Sequence, residues 1–270
     1  MSAADEAAGL FGRGSTSWRI DRELAVLAGG SCALLMQAAH PGVAAGVVNH
    51  STYATDPFGR LMRTLDASFA VVFGSRSTAE AAIRRVNAIH RSVRGRTADA
   101  GSYDARDPEA LLWVHATLVD TALRVFGRFV APLSPLDEQA YHEESGRVAE
   151  MLGVPGHLLP ATIVELRAWM ADRMADGTVQ VTPDARRIAR TVLYPLRWVP
   201  KSAWDAAHLI SLSTLPPALR LQYGIGWSDS RERGVERVAG VMRRAMPLVP
   251  PFVRHAPAAR AADRRVAQVR

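Results

Sequence analysis

The sequence predicts a single all-helical globular domain of about ten helices. Apolar residues recur at intervals of three and four, helix-start signals recur between them, and alternating strand patterns are nearly absent. The chain has 270 residues, 48% of them hydrophobic and 22% charged, which is enough to bury one large core. We expect this domain over residues 19–250, between a flexible N-terminal segment (1–18) and a flexible Arg-rich tail (251–270).

The first long apolar stretch, residues 24–39, predicts a buried core helix. It is interrupted by Gly29-Gly30 and ended by His40-Pro41. Its sixteen residues are fewer than the roughly 20 that a membrane-spanning helix needs.

Later helices begin with recognisable capping patterns. Asp107-Pro108-Glu109 places a capping side chain, a first-turn proline and an early acidic residue before the apolar stripe of 110–130. Similar patterns predict helix starts at Ser134, Thr162, Thr182, Ser202 and Ser228. Only residues 178–182 alternate, and we expect a short loop arm there.

The basic excess is concentrated at the C-terminus. The net charge is +7, and the tail from Arg254 to Arg270 holds five Arg against one Asp. No nucleic-acid-binding motif accompanies it, so we expect no specific nucleic-acid partner; weak contact with an anionic membrane or nucleic acid is left open. Residues 1–14, which include Asp5 and Glu6, lack the basic-then-apolar order of a signal peptide. We therefore expect a cytoplasmic protein without a transmembrane segment.

The helix predicted after residue 57 has two different faces. Phe58 and Leu61 lie on an apolar face, whereas Arg60, Arg63 and Thr64 are spaced to project together from another. Two guanidiniums and a hydroxyl beside apolar lining suit the anchoring of a propionate or the polarisation of a bound oxygen species. The alternative is a solvated arginine face that caps the core.

Two histidines lie on apolar stripes. His90 continues the stripe that contains Ile83, and His115 lies with Leu111 and Leu118. An imidazole among aliphatic side chains is typical of an axial haem ligand, although a lone histidine on such a face is more often a core residue with hydrogen-bond partners. His115 is either the alternative ligand or a supporting residue.

Other classes of site have little support. His142 is expected on a solvated face, and no Glu-x-x-His pair supports a di-iron bundle. There is no P-loop, dinucleotide-binding fingerprint or Gly-x-Ser-x-Gly elbow, which argues against an NTPase, a nicotinamide enzyme and an α/β-hydrolase.

Several motifs follow one another in a fixed order over residues 20–225. They are His40-Pro41-x-Val43, Pro57-x-x-Arg60-x-x-Arg63-Thr64, His90-x-x-Val93-Arg94-Gly95, Trp113-Val114-His115-Ala116-Thr117, Gly153-Val154-Pro155 and Tyr223-Gly224. With these motifs the sequence resembles the family of rubber oxygenase (latex clearing protein) and MpaB.

The resemblance implies an all-α fold that holds b-type haem in a pocket within the helical bundle. Carried over by motif, the metal ligand is His90, and the catalytic positions are Arg60, Arg63 and Thr64. The residues implied to contact the cofactor are His90, Arg60, Arg94 and His115. Arg63 stands where the rubber oxygenase has a lysine able to close over the iron; an arginine stays protonated and is a poor iron ligand. No Glu occurs between Gln37 and Asp56 to supply the family's catalytic base, which leaves Asp56, Asp66 or His50 as substitutes.

The resulting hypothesis is a haem-dependent oxygenase that uses O2. Because no export signal is recognised, we expect a small or medium apolar substrate, isoprenoid or lipid-like, rather than rubber. The alternative is a haem-binding sensor or carrier without turnover. A third interpretation is a haem-free helical protein that binds a lipid or a partner.

Overall fold

The fold is all-α, as predicted. The computed structural model describes residues 2–97, 101–196 and 198–269, and that part of the chain forms sixteen α-helices and one small sheet. The helices are α1 (Ala3–Ala8), α2 (Thr16–Asp21), α3 (Gly30–Ala38), α4 (Pro41–His50), α5 (Pro57–Phe73), α6 (Arg76–His90), α7 (Pro108–Phe129), α8 (Pro135–Met151), α9 (Ile163–Ala175), α10 (Pro183–Leu193), α11 (Lys201–Ala207), α12 (Leu209–Thr214), α13 (Pro217–Gln222), α14 (Asp229–Ala245), α15 (Pro251–Arg254) and α16 (Pro257–Ala267). Short 3₁₀ helices cover Leu24–Gly29, Gly156–Leu158 and Met246–Leu248, and strands β1 (Arg94–Arg96) and β2 (Ser102–Asp104) pair antiparallel.

Most predicted helix starts are confirmed by their capping geometry. The side chains at the predicted caps of α7, α8, α9, α10 and α14 each accept a hydrogen bond from a first-turn backbone N–H. Ser202 is an exception, because it lies inside α11, which starts after Pro200. Prolines divide this part of the chain into shorter helices than predicted, since proline supplies no backbone N–H and restricts the residue before it.

Helix α7 forms the centre of the core. It packs against α3, α8, α9 and α14 and against the 3₁₀ helix Leu24–Gly29. Ala116, Val125 and Phe129 are fully buried on it. Gly29 permits the close approach of the 3₁₀ helix, because a Cβ there would lie 2.7 Å from Cγ2 of Thr121.

Two apolar segments meet the length and composition of a membrane span. Helix α7 does so by itself, but 72% of its apolar window is buried inside the protein. The stretch Leu24–Ala38 does so only when joined to α4, from which it is bent by 106°. Cys32, Leu35 and Met36 are buried in the main core, as predicted for a core helix.

The two ends of the chain, for which the sequence predicts flexible segments, are helical and pack together. Helix α16 lies against α1 and α5, with Ala259 and Ala262 fully buried. The guanidinium of Arg265 donates to the backbone oxygens of Ala7 and Phe73, at 3.1 and 2.6 Å. Alanine at the buried positions lets α16 approach its neighbours closely.

Helices α5 and α6 form a hairpin that carries most of the predicted site residues. They pack along each other and are joined by only Gly74 and Ser75. The chain leaves α6 through β1, which pairs with β2, and the sheet lies against α4.

Candidate functional site

Arg60 and His90 lie at the same end of the α5–α6 hairpin. Arg60 precedes the connection by thirteen residues of α5, and His90 ends α6 fourteen residues after Arg76. At 1.5 Å per residue both positions are about 20 Å from the connection. The fold therefore places two residues that are thirty positions apart in sequence at the same end of the hairpin.

His90 is half-buried and has a free ring nitrogen. Its Nδ1 atom is enclosed and has no hydrogen-bond partner among the described residues. Burial lowers the pKa of the imidazole below its usual value of 6.5, and the charge of Asp104 only partly opposes this. At neutral pH the ring is therefore uncharged, which is the form that ligates a metal.

Arg60 is half-buried and lacks a counter-charge. Burial and the neighbouring charge of Arg63 lower the pKa of its guanidinium. No hydrogen bond or ion pair satisfies it within residues 2–97, 101–196 and 198–269. A desolvated cation without a partner is costly, so this position favours an anionic ligand group.

Arg63 and Thr64 are already engaged. Arg63 donates to Oδ2 of Asp56 (3.1 Å) and to Oγ1 of Thr52 (2.8 Å), which ties its guanidinium to the start of α5. The Thr64 hydroxyl donates to the backbone oxygen of Arg60 at 2.9 Å. Of the three side chains on the predicted polar face, Arg63 and Thr64 have hydrogen-bond partners within the protein and Arg60 has none among the described residues.

Asp56 is a poor candidate for the missing base. It caps α5 by accepting a hydrogen bond from the Gly59 N–H, and this bond together with Arg63 holds the pKa of its carboxyl below 3.8. Asp66 is exposed. His50 instead contacts Tyr103, with Nε2 3.1 Å from the phenol oxygen.

The start of the predicted apolar face of α5 is exposed to solvent. Phe58 and Leu61 are exposed. At about 100° per residue, Phe58 lies across α5 from Arg60, whereas Leu61 lies about 100° away from it. The helices that pack against α5 are α6, α16 and α2.

His115 is enclosed between α7 and α8. Its Nε2 atom has no hydrogen-bond partner in the described part of the chain, and burial, assisted by His142, lowers its pKa to about 4. The prediction that His142 lies on a solvated face is wrong: its side chain is only 3% exposed, and its Nε2 lies 2.8 Å from the Pro160 oxygen. His142 is buried because it lies on the inner side of α8, next to Pro160.

Arg94 lies on the exposed strand β1, opposite Asp104 in the register. Arg106 chiefly, and Arg94 to a smaller extent, lower the pKa of the Asp104 carboxyl to about 2. Arg94 thus follows His90 by four residues, and its charge acts on Asp104 of the paired strand.

Tyr103 lies at the centre of a polar group that includes His50, and of this group only His50 was predicted as a site residue. Its hydroxyl accepts a hydrogen bond from Nδ2 of Asn49 (2.9 Å) and contacts His50, and its ring is buried. A Cβ at Gly46 would lie 3.3 Å from Val93 and 3.8 Å from the Tyr103 ring, so glycine lets α4 approach the sheet. The small residues spaced along α4 indicate that another element packs closely against it. They do not identify Tyr103 as the residue it contacts.

The donor set fits haem better than a metal bound only by side chains. Among the described residues, no group of three or more His, Cys, Asp or Glu could hold a metal ion. Haem iron requires only one protein nitrogen, and its propionates require cations. The unpartnered nitrogen of His90 and the unpartnered guanidinium of Arg60 match these two requirements.

Comparison with known proteins identifies the family over most of the chain. The family model described as "ER-bound oxygenase mpaB/B'/Rubber oxygenase, catalytic domain" matches residues 18–244. Two uncharacterised proteins, from Mycobacterium tuberculosis and Mycobacterium bovis, are each 29% identical over 228 residues, which covers 80% of this chain and 87% of each relative. No solved structure matches. Since the family model extends from α2 to the end of α14, the chain belongs to the MpaB and rubber oxygenase family of oxygenases.

Proposed function

We propose that this protein is a b-type haem-dependent oxygenase that acts on a small or medium apolar substrate, isoprenoid or lipid-like, with O2. The observation that supports it best is that an unpartnered His90 nitrogen and an unpartnered, desolvated Arg60 both occur at one end of the α5–α6 hairpin. Membership of an oxygenase family supports the class of reaction.

His90 would hold the haem iron through a ring nitrogen. Its lowered pKa keeps the imidazole neutral at physiological pH, so no proton must be removed before ligation. When bound, haem would supply the binding and activation of O2.

Arg60 would hold a propionate carboxylate or stabilise negative charge that develops during the reaction. Thr64 retains acceptor capacity on its hydroxyl oxygen although its proton is directed to Arg60. Arg63 would act on the start of α5, where Asp56 and Thr52 hold it.

Absorption spectra of haem-supplemented protein test the ligand. Wild type, His115→Ala and His157→Ala, the last an exposed-histidine control, should show a Soret band. His90→Gly should lose or shift the band and regain it when imidazole is added. Absence of the band from wild type would reject the haem proposal, and an unchanged band in His90→Gly would move the ligand elsewhere.

Oxygen consumption with a panel of alkenes tests turnover. Arg60→Gln should lower the rate by about 10²-fold, in the range seen when one charge-stabilising donor is removed. Arg60→Lys should recover part of the rate because it restores the charge without the planar geometry.

The alternative is a haem-binding sensor or carrier, and the engagement of Asp56 favours it. The carboxylate nearest to Arg63 is held as a helix cap, so it is a weak base. Tight O2 binding without consumption across the panel would support the sensor over the oxygenase.

A further inference from the structure

The net positive charge of the chain resides in its last 34 residues. Residues 237–270 contain eight arginines and one aspartate, a net of +7, and this equals the net charge of the whole chain. Residues 1–236 are therefore neutral overall. The basic character belongs to the second half of α14 and the segment that follows it.

The outer face of α14 is a row of arginines. Arg233, Arg237 and Arg244 are exposed, on the side opposite the buried Val235 and Ala239. The helical period places these three arginines within about 40° of one another around the helix axis.

These arginines are free of acidic partners among the described residues. The guanidinium of Arg237 donates only to a backbone oxygen of the same helix. The acidic neighbours Glu232 and Glu236 are instead both bound to Arg128. The row can therefore bind external anions without first breaking an ion pair.

An exposed apolar connection (residues 246–253, the apolar loop) follows α14 directly and contains the 3₁₀ helix Met246–Leu248 and the start of α15. Its large side chains lie in solvent: Leu248 is 84%, Phe252 67% and Val253 53% exposed. Three prolines, at positions 247, 250 and 251, restrict its backbone. Val241 on α14 is also 63% exposed, so apolar side chains continue from the loop onto the arginine face.

The base of the apolar loop is anchored to the core. Nε of Arg254 lies 2.5 Å from Oε2 of the buried Glu23, and its Nη1 donates to the Met246 oxygen at 3.2 Å. The Ala256 N–H donates to the Arg22 oxygen at 2.7 Å. The exposed side chains of Leu248 and Phe252 therefore lie on a segment whose base is held by the core.

We propose that this surface docks on an anionic lipid bilayer, with Leu248, Phe252 and Val253 inserted at the interface and the α14 arginines on the lipid phosphates. A bilayer offers hydrocarbon beneath a layer of negative charge, which is the order of apolar tip and flanking cations found here. A nucleic acid would satisfy the arginines but leave the apolar tip in water. A second copy of the chain would bring like charges together.

Flotation of the full-length protein with vesicles tests the proposal. Binding is expected to vesicles that contain phosphatidylglycerol, to weaken with salt, and to be slight on pure phosphatidylcholine. The double variant L248S/F252S should weaken binding by about tenfold or more. The double variant R237Q/R244Q should weaken it roughly thirtyfold, at about 1 kcal/mol per arginine.

Matched controls lie on α8. Leu136→Ser changes another highly exposed leucine, and Arg147→Gln changes another exposed arginine. Neither should alter binding, and all variants should keep the wild-type thermal midpoint because their side chains are exposed. The proposal would be overturned if wild-type protein did not bind anionic vesicles. It would also be overturned if the α8 control variants reduced binding as much as the loop and α14 variants do. So would preferential binding to duplex nucleic acid, or a dimer abolished by L248S/F252S.

Discussion

The enclosed imidazole of His115 makes the stability of the protein depend on pH in a calculable way. Burial between α7 and α8 lowers its pKa from 6.5 to about 4. Because the folded-state pKa is depressed, the contribution of His115 is fully present above pH 6.5 and is lost as the pH falls toward 4. A difference of about 2.5 pKa units corresponds to about 3 kcal/mol.

Urea unfolding of haem-free protein, followed by circular dichroism across this window, measures the effect. His115→Leu removes the titrating group and the unpartnered Nε2 atom. The unfolding free energy of wild type relative to this variant should fall by about 3 kcal/mol from pH 6.5 to pH 4. His157→Leu, at an exposed position, corrects for the loss of one histidine. Parallel pH curves for wild type and His115→Leu would refute the reasoning.

Three further predictions concern the support of the fold. Burial raises the pKa of Asp21 to about 7, so its stabilising contribution is complete below pH 3.8 and is lost as the pH rises through 7. Asp21→Asn should therefore raise the unfolding free energy above pH 7 by up to about 4 kcal/mol in urea titrations. No gain in unfolding free energy above pH 7 would contradict this prediction. Glu23→Gln should cost about 3–5 kcal/mol in the same assay, because Arg254 loses its buried partner, whereas a loss within error would show the pair to be dispensable. Gly29→Ala should lower the unfolding free energy by about 1–3 kcal/mol, because its Cβ would lie 2.7 Å from Cγ2 of Thr121. The calorimetric midpoint should fall accordingly, and adding Thr121→Ser should recover part of the loss. An unchanged midpoint in Gly29→Ala would contradict the clash.

Local signals explain why so much of the helical pattern was predictable. Asp107, Ser134 and Thr162 each cap a helix through a backbone N–H within three residues. Such interactions depend on sequence neighbours alone. The predicted cap at Ser202 is wrong because α11 begins directly after Pro200, so Ser202 lies inside the helix.

The sequence predicts candidate site residues and only part of their spatial grouping. Arg60 and His90 lie at the same end of the hairpin because two helices of similar length are joined by a short connection, which sequence spacing can suggest. The capture of Arg63 by Asp56 and the contact of His50 with Tyr103 depend on side-chain directions in a folded neighbourhood. No helical period indicates those partners.

The sequence alone determined the all-α class, most helix boundaries and the oxygenase family, because caps, apolar periodicity and ordered motifs are readable from residues close together in the chain. Only the tertiary structure decided which polar groups lose water and which charges find partners. His142 is buried rather than solvated, and Glu23 is bound by Arg254, 231 residues away. Desolvation and ion pairing depend on neighbours in space, and the packed helices alone determine which neighbours those are.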